Sequence, residues 1–311
     1  MSSQHDASPP EPNRLVELAT LFAASRAVFF DVLDDEHHWV PAPGSLAERD
    51  LHNSESGPAG EWGENPVRHM FTVVGSYLLT ATGHLGGLAV LHASQEALFA
   101  PPLLVRAIIE NCARVIWVLG MDASDPTRSR VARALLEEIL SAGEAKTVAG
   151  RLSGKTGEHY EAAQENYLAL RDQYIPGLFS NCTREELLGE NTLDRQVRPS
   201  PEACVLWMYE NIAAQGAGVT KEQAQGVYGF LCNMTHPTLY PVRDMLEWVE
   251  QEGRLQSYLQ LDINFLGRQA SAAVITFYNA ISLVMSYFGW RSERFSEWEA
   301  LIDRTLPGTF V

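Results

Sequence analysis

A chain of 311 residues, 46% of them hydrophobic and 20% charged, has the composition of a packed globular protein and length for one large domain or two ordinary ones. Its formal net charge of −16 disfavours broad binding to nucleic acid or to any other polyanion. The cysteines Cys112, Cys182, Cys204 and Cys232 stand singly, without metal-site spacing, and the polar, acidic start of the chain has no signal-peptide pattern. Both features argue for reduced thiols in a cytoplasmic setting and against structural zinc.

Residues 1–12 read as a disordered tail, and an amphipathic run from Asn13 predicts a helix to about Asp34. Residues 41–65, rich in Pro, Gly, Ser and acids, read as a long acidic loop that need not be ordered. Pro66 precedes a long apolar helix to about Phe99. The Pro101-Pro102 pair stops it and starts another, which ends at Gly120. Asp125-Pro126 caps a helix reaching about Ala149. Arg128, Arg130 and Arg133 in its first turns read as a solvated basic face.

Residues 151–200 are more polar, with a helix over Gly157 to Tyr174, a break at IPGLFSNC and a short capped turn from Thr183 to Leu188. They read as a segment appended between two halves of the core. Further helices are predicted from Ser200-Pro201-Glu202, from Thr220 to His236-Pro237, from Tyr240 to Glu252 and from Leu255 to Trp290. No stretch alternates between turn dipeptides of the Asn-Gly or Asp-Gly kind, so no strands are expected. The predicted fold is all-α, a multi-helix bundle with long central helices, residues 13–311 forming a single domain; a split near residue 150 is the alternative. Met70 to Leu91 and Ala270 to Trp290 have bilayer-spanning length without Asp, Glu, Lys or Arg. Gly, Ser, Thr, Asn and Tyr dilute them, so they read as buried bundle helices with no membrane.

The Pro102 to Gly120 helix is the most informative segment. Arg106, Glu110 and Arg114 recur every four residues among apolar positions and fall on one stripe with Trp117. Unpaired buried charge costs several kcal/mol, so the stripe must face solvent, pair internally or line a polar site. Two guanidiniums about one carboxylate leave donors for a phosphate, a carboxylate or a second helix. The candidate ligand-binding set is Arg106, Glu110 and Arg114 with Asn233, His236, Tyr240 and Arg243 from the segment YGFLCNMTHPTLYPVR, where His236 closes a helix. An alternative is a metal site from His84, His92 and Glu96 on the long apolar helix, though the Glu-x-x-His pairs of carboxylate-bridged bundle centres do not occur in the sequence. No cofactor is expected. Cys232 and His236 share a helix face but read as packing rather than a nucleophile pair.

The pattern Arg106-x-x-x-Glu110-x-x-x-Arg114-x-x-Trp117, the arginine-rich start of the next helix, and Tyr228 with Leu231-Cys232-x-x-x-His236 resemble uncharacterised bacterial helical families akin to the HEPN-like superfamily, whose abortive-infection members are all-α. The similarity covers about a third of the chain. The resemblance implies a bundle, a tendency to form a homodimer and a polar site near His236. Active members carry an arginine a few residues before a histidine, forming a metal-independent ribonuclease centre at a dimer interface. Residues 231–235 contain no arginine, so the ribonuclease activity does not carry over. The expected function is a cytoplasmic bundle that binds a small anionic ligand or partner in a regulatory or defence role. An enzyme with a bundle-interior site, with or without a metal, and a structural dimerisation protein are the alternatives.

Overall fold

The computed structural model describes residues 12–56, 65–95, 97, 99–214, 220–236, 238–239, 242–243, 245–251, 253–259 and 262–308. Among them the fold is mainly α-helical, as the periodicity predicts. Helix α1 (Pro12–Val28) continues as a π-helical stretch over Phe29–Glu36, followed by α2 (Leu46–Ser56), α3 (Asn65–Ala93), α4 (Pro101–Leu119) and α5 (Thr127–Ser153). Next come α6 (Glu158–Ala169), α7 (Ile175–Leu178), α8 (Arg184–Leu188), α9 (Pro201–Ala214), α10 (Lys221–Thr235), α11 (Ile263–Phe288) and α12 (Glu293–Thr305).

Helix α4 is the central element, with α3, α9, α10 and α11 packed around it and α1 and α5 against α3. Its all-round apolar composition explains the position: Val105, Ile108, Ile109, Cys112, Val115, Ile116, Val118 and Leu119 are fully buried. The ends are set by local chemistry. Proline begins α4, and Gly120 closes it at φ +72°. A side chain at Gly120 would strike the Asp125 carboxylate and the Arg133 guanidinium, so only glycine fits there. Thr183 with Glu186 and Thr220 with Gln223 form reciprocal capping boxes on α8 and α10.

Several expectations need correction. Residues 246–259 form an antiparallel hairpin of β3 (Leu246–Gln251) and β4 (Arg254–Leu259), not the ends of two helices. Trp248, Val249 and Tyr258 favour extended backbone, and Gly253 at φ +73° closes the two-residue connection that a helix could not contain. A second tiny hairpin pairs β1 (Thr192–Leu193) with β2 (Gln196–Val197) through Asp194 and Arg195, both at positive φ. The long apolar helix stops at Ala93 rather than near Phe99, and the IPGLFSNC break begins with the helical turn of α7. A last helix, α12, follows where none was expected.

The acidic loop is also largely overturned: α2 occupies Leu46–Ser56, while residues 57–64, like residues 1–11 of the expected tail, lie outside the described residues. Helix α2 is anchored through Asp50, which is buried against α5 and α11. Arg130 grips Asp50 through two hydrogen bonds, Nε to Oδ2 at 2.7 Å and Nη2 to Oδ1 at 2.9 Å, and both side chains are 1% exposed. Thr127 Oγ1 donates to Oδ1 at 2.7 Å and the Tyr287 hydroxyl to Oδ2 at 2.5 Å. The solvated basic face is thereby corrected too, since Arg130 and Arg133 are both buried. Composition alone reads these residues as surface because their partners lie far away in sequence.

Two helices, α3 and α11, are long and apolar enough to cross a membrane, with mean hydropathies of 1.3 and 1.4 over windows that are 39% and 56% buried within the fold. Residues 151–200 contribute Tyr167, Leu170, Ile175, Phe179, Leu187 and Leu193 to the same core as the central helices.

Removing one partner of a buried ion pair leaves an uncompensated charge, which costs about 3–5 kcal/mol. Asp50→Ala is therefore expected to lower the unfolding free energy by about that amount in chemical denaturation, and the double replacement Asp50→Leu with Arg130→Met to recover most of it.

Candidate functional site

The charged stripe of α4 divides between two environments. At its start, Arg106 Nε donates to Glu110 Oε1 at 2.8 Å, the i,i+4 pair expected from the spacing, with 24% and 29% of the two side chains exposed. Helix α10 completes this corner. Tyr228 Oη donates to the same Glu110 oxygen at 2.7 Å, and Arg106 Nη1 donates to Thr235 Oγ1 at 2.6 Å. The guanidinium lies 5.7 Å from the Tyr228 ring centroid. Desolvation, then hydrogen bonding to Glu110, pushes the Tyr228 hydroxyl far above its ordinary value and keeps it a donor.

Arg114 has a different role, and the continuous Arg106 to Glu110 to Arg114 relay is not formed. Arg114 is 6% exposed and donates through Nη1 to Glu137 Oε1 on α5 and through Nη2 to the Pro199 carbonyl, both at 3.0 Å. Arg198 Nη2 and the Tyr77 hydroxyl reach Glu137 Oε2 at 3.0 and 2.7 Å. Arg114 also lies 6.0 Å from the Trp117 ring centroid. Desolvation and the adjacent Glu137 raise the Tyr77 hydroxyl well above its usual range. This cluster is closed, because its carboxylate is occupied by three donors and only 2% exposed.

The other predicted positions spread out. His236 is the exposed C-cap of α10, its backbone N–H bonded to the Cys232 carbonyl at 3.2 Å, and it follows directly the Thr235 that holds Arg106. Asn233 is half-buried and accepts through its backbone carbonyl from Thr238 Oγ1 at 2.6 Å. Arg243 is exposed; Tyr240 lies outside the described residues. The structure therefore brings together Arg106, Glu110 and the chain leading into His236, and separates Arg114 from them.

For the metal alternative, Glu96 lies outside the described residues. The buried His92 points Nδ1 at the Leu88 carbonyl of its own helix at 2.8 Å and sets its ring edge-on to Phe22, with centroids 5.0 Å apart. Burial holds the imidazoles of His84 and His92 below the ordinary value of 6.5. Among the described residues, no group of three His, Cys, Asp or Glu side chains could hold a metal ion. The cysteines are free, and burial pushes the Cys204 thiol up to about 12, so it behaves as a small hydrophobe.

Sequence reasoning missed Tyr228, Thr235, Glu137, Arg198 and Tyr77 as partners. Leu135 to Leu140 holds two adjacent acids, Glu137 and Glu138, and an acid between apolar neighbours asks for a buried cation, but the sequence does not say which of the two is buried. Arg198 and Tyr77 carried no comparable signal. No family model, curated protein or solved structure matches this chain.

Two expectations follow from the geometry. Glu137→Gln should cost about 3–5 kcal/mol in unfolding free energy by leaving the buried Arg114 guanidinium, and the half-buried Arg198 beside it, without a carboxylate, whereas Glu110→Gln, at a partly exposed pair, should cost about 1 kcal/mol or less. Because His92 is depressed in the folded state, the unfolded chain binds its proton first as pH falls through 6.5. Stability is therefore lost progressively below that pH, and His92→Leu should make the fall of melting temperature shallower.

Proposed function

We propose that this chain is a cytoplasmic, dimeric, HEPN-like bundle that binds a small anionic group at the corner between α4 and α10, in a regulatory or defence setting. The observation that carries the reading is the state of Arg106. Its guanidinium is oriented by Glu110 on Nε and Thr235 on Nη1, and Nη2 has no hydrogen-bond partner among the described residues. An arginine held in this way presents a donor at a fixed direction without a further entropy cost. The start of α4 adds no free amide to this donor, because Pro101 and Pro102 have no N–H and the Leu103 and Leu104 amides are bonded to the Ala100 carbonyl, so Arg106 carries the attraction for an anion. The carbonyl end of α10 opposes it by about 0.3–1 kcal/mol, against about 1.5–3 kcal/mol for a charge-assisted hydrogen bond from arginine.

Arg114 is 6% exposed and bonded to Glu137 and to the Pro199 carbonyl, so in this reading it supports the scaffold rather than the ligand. A structural dimerisation role finds support in the hairpin of β3 and β4, which exposes Trp248, Leu255 and Leu259.

Titration with inorganic phosphate and with acetate, followed through the His236 ring resonances, tests the binding site. Arg106→Ala should weaken the phosphate response about tenfold or more while leaving circular dichroism unchanged, and Arg106→Lys should retain part of it. An unperturbed His236 with both anions, or an Arg106→Ala variant that responds like the parent, rejects the reading.

A further inference from the structure

Away from that corner, α10 and α11 line a half-open cavity of about 400 Å³. Helix α10 supplies Gly226, Val227, Phe230 and Leu231, and α11 supplies Phe265, Arg268, Gln269 and Ala272. Both sets follow helical spacing, so each is one continuous face. Val105 of α4 and Leu231 close the cavity on the core side, being 1% and 2% exposed, and the rings of Phe230 and Phe265 meet edge to face with centroids 5.3 Å apart. Gly226 leaves space above its backbone, with no atom within 4 Å of where a Cβ would stand.

Gln269 stands out against these apolar walls. It is 6% exposed, and neither its amide nitrogen nor its amide oxygen has a hydrogen-bond partner among the described residues. Leaving both groups unmade costs free energy that a leucine or methionine would avoid. Buried polar groups without partners call for a reason, and the adjoining cavity supplies one. Both amide atoms have almost no accessible surface, so an occupant meets them through a rotamer change of the Gln269 side chain.

From this arrangement we infer that the α10–α11 cavity binds a neutral, flat, mainly apolar molecule whose edge places a hydrogen-bond donor beside an acceptor, the pattern of a lactam or carboxamide. The volume falls in the range of small-molecule sites, with apolar walls and one orienting polar group. A primary amide offers one donor and one acceptor side by side, which a lactam edge satisfies with two hydrogen bonds. Neutrality follows from the lining. Its one charged member, Arg268, is 68% exposed at the rim and faces Asp262 at 3.6 Å.

The experiment uses the full chain with 2-quinolinone as the lactam and naphthalene as its hydrocarbon counterpart, read by thermal melting and calorimetry. The parent protein should be stabilised more by the lactam than by naphthalene. Gln269→Met should weaken lactam binding about tenfold or more, leave naphthalene binding unchanged, and raise the ligand-free melting temperature by about 2 °C because the orphaned amide is gone. Gly226→Leu, which favours the helix while filling the cavity, should abolish both responses without loss of stability. Arg106→Ala should leave the lactam response intact, which separates this site from the proposed anion site.

Equal responses to lactam and hydrocarbon, no lactam response in the parent, or a Gln269→Met protein that melts several degrees lower would each overturn the inference. So would a ligand-free melting temperature that rises with protein concentration and loses that dependence in Gly226→Leu, because a second copy would then be the occupant.

Discussion

Carboxylates gripped by arginine and by a tyrosine hydroxyl fix how the helices of this bundle sit against one another. Asp50 with Arg130 and Tyr287 joins α2, α5 and α11, and Glu137 with Arg114, Arg198 and Tyr77 joins α5, α4, α3 and the approach to α9. Glu110 with Arg106 and Tyr228 repeats the pattern between α4 and α10. A buried ion pair is weak evidence for stability, because desolvation offsets most of the Coulombic attraction. Its larger effect is on specificity. A leucine face accepts several packings, whereas Arg130 satisfies Asp50 at one depth and one rotation of α2 against α5.

The same pattern serves different ends according to exposure. At Glu137 three donors converge on a carboxylate that is 2% exposed, so the cluster is closed and acts as a rivet. At Glu110 about a quarter of each side chain remains in contact with solvent, and the carboxylate positions a guanidinium that still has a donor to offer. The difference comes from packing along α4: its second half is surrounded on all sides, while its first turns meet α10 near that helix's end. Gln269 departs from the rule that buried polar groups are paired, and the cavity beside it is where a partner molecule supplies what the fold does not.

Much of the architecture was legible. The 3.6-residue periodicity and the proline and glycine punctuation located α4, α5 and α10, and the four-residue spacing of Arg106 and Glu110 predicted their contact. The hairpin was missed because its connection is Glu-Gly rather than Asn-Gly or Asp-Gly, and because exposed strands show no core-facing pattern to contrast with a helix. Arg130 was placed on the surface because its partner, Asp50, sits in a stretch whose composition reads as loop. For Arg114, helical spacing offered Glu110, yet Glu137 took its place from a separate helix.

The sequence by itself determined much of what is local: that α4, α5 and α10 are helical, where proline and glycine stop them, and that α4 has no polar face wide enough for the surface. Those properties depend on neighbours within a few residues, and the chain specifies them directly. Only the tertiary structure decided which acids Arg114 and Arg130 hold, which tyrosine closes each pair and which glutamine is left without a partner. Those choices pair residues tens to hundreds of positions apart, and the cost of burying each charge or amide is defined only once the helices have packed.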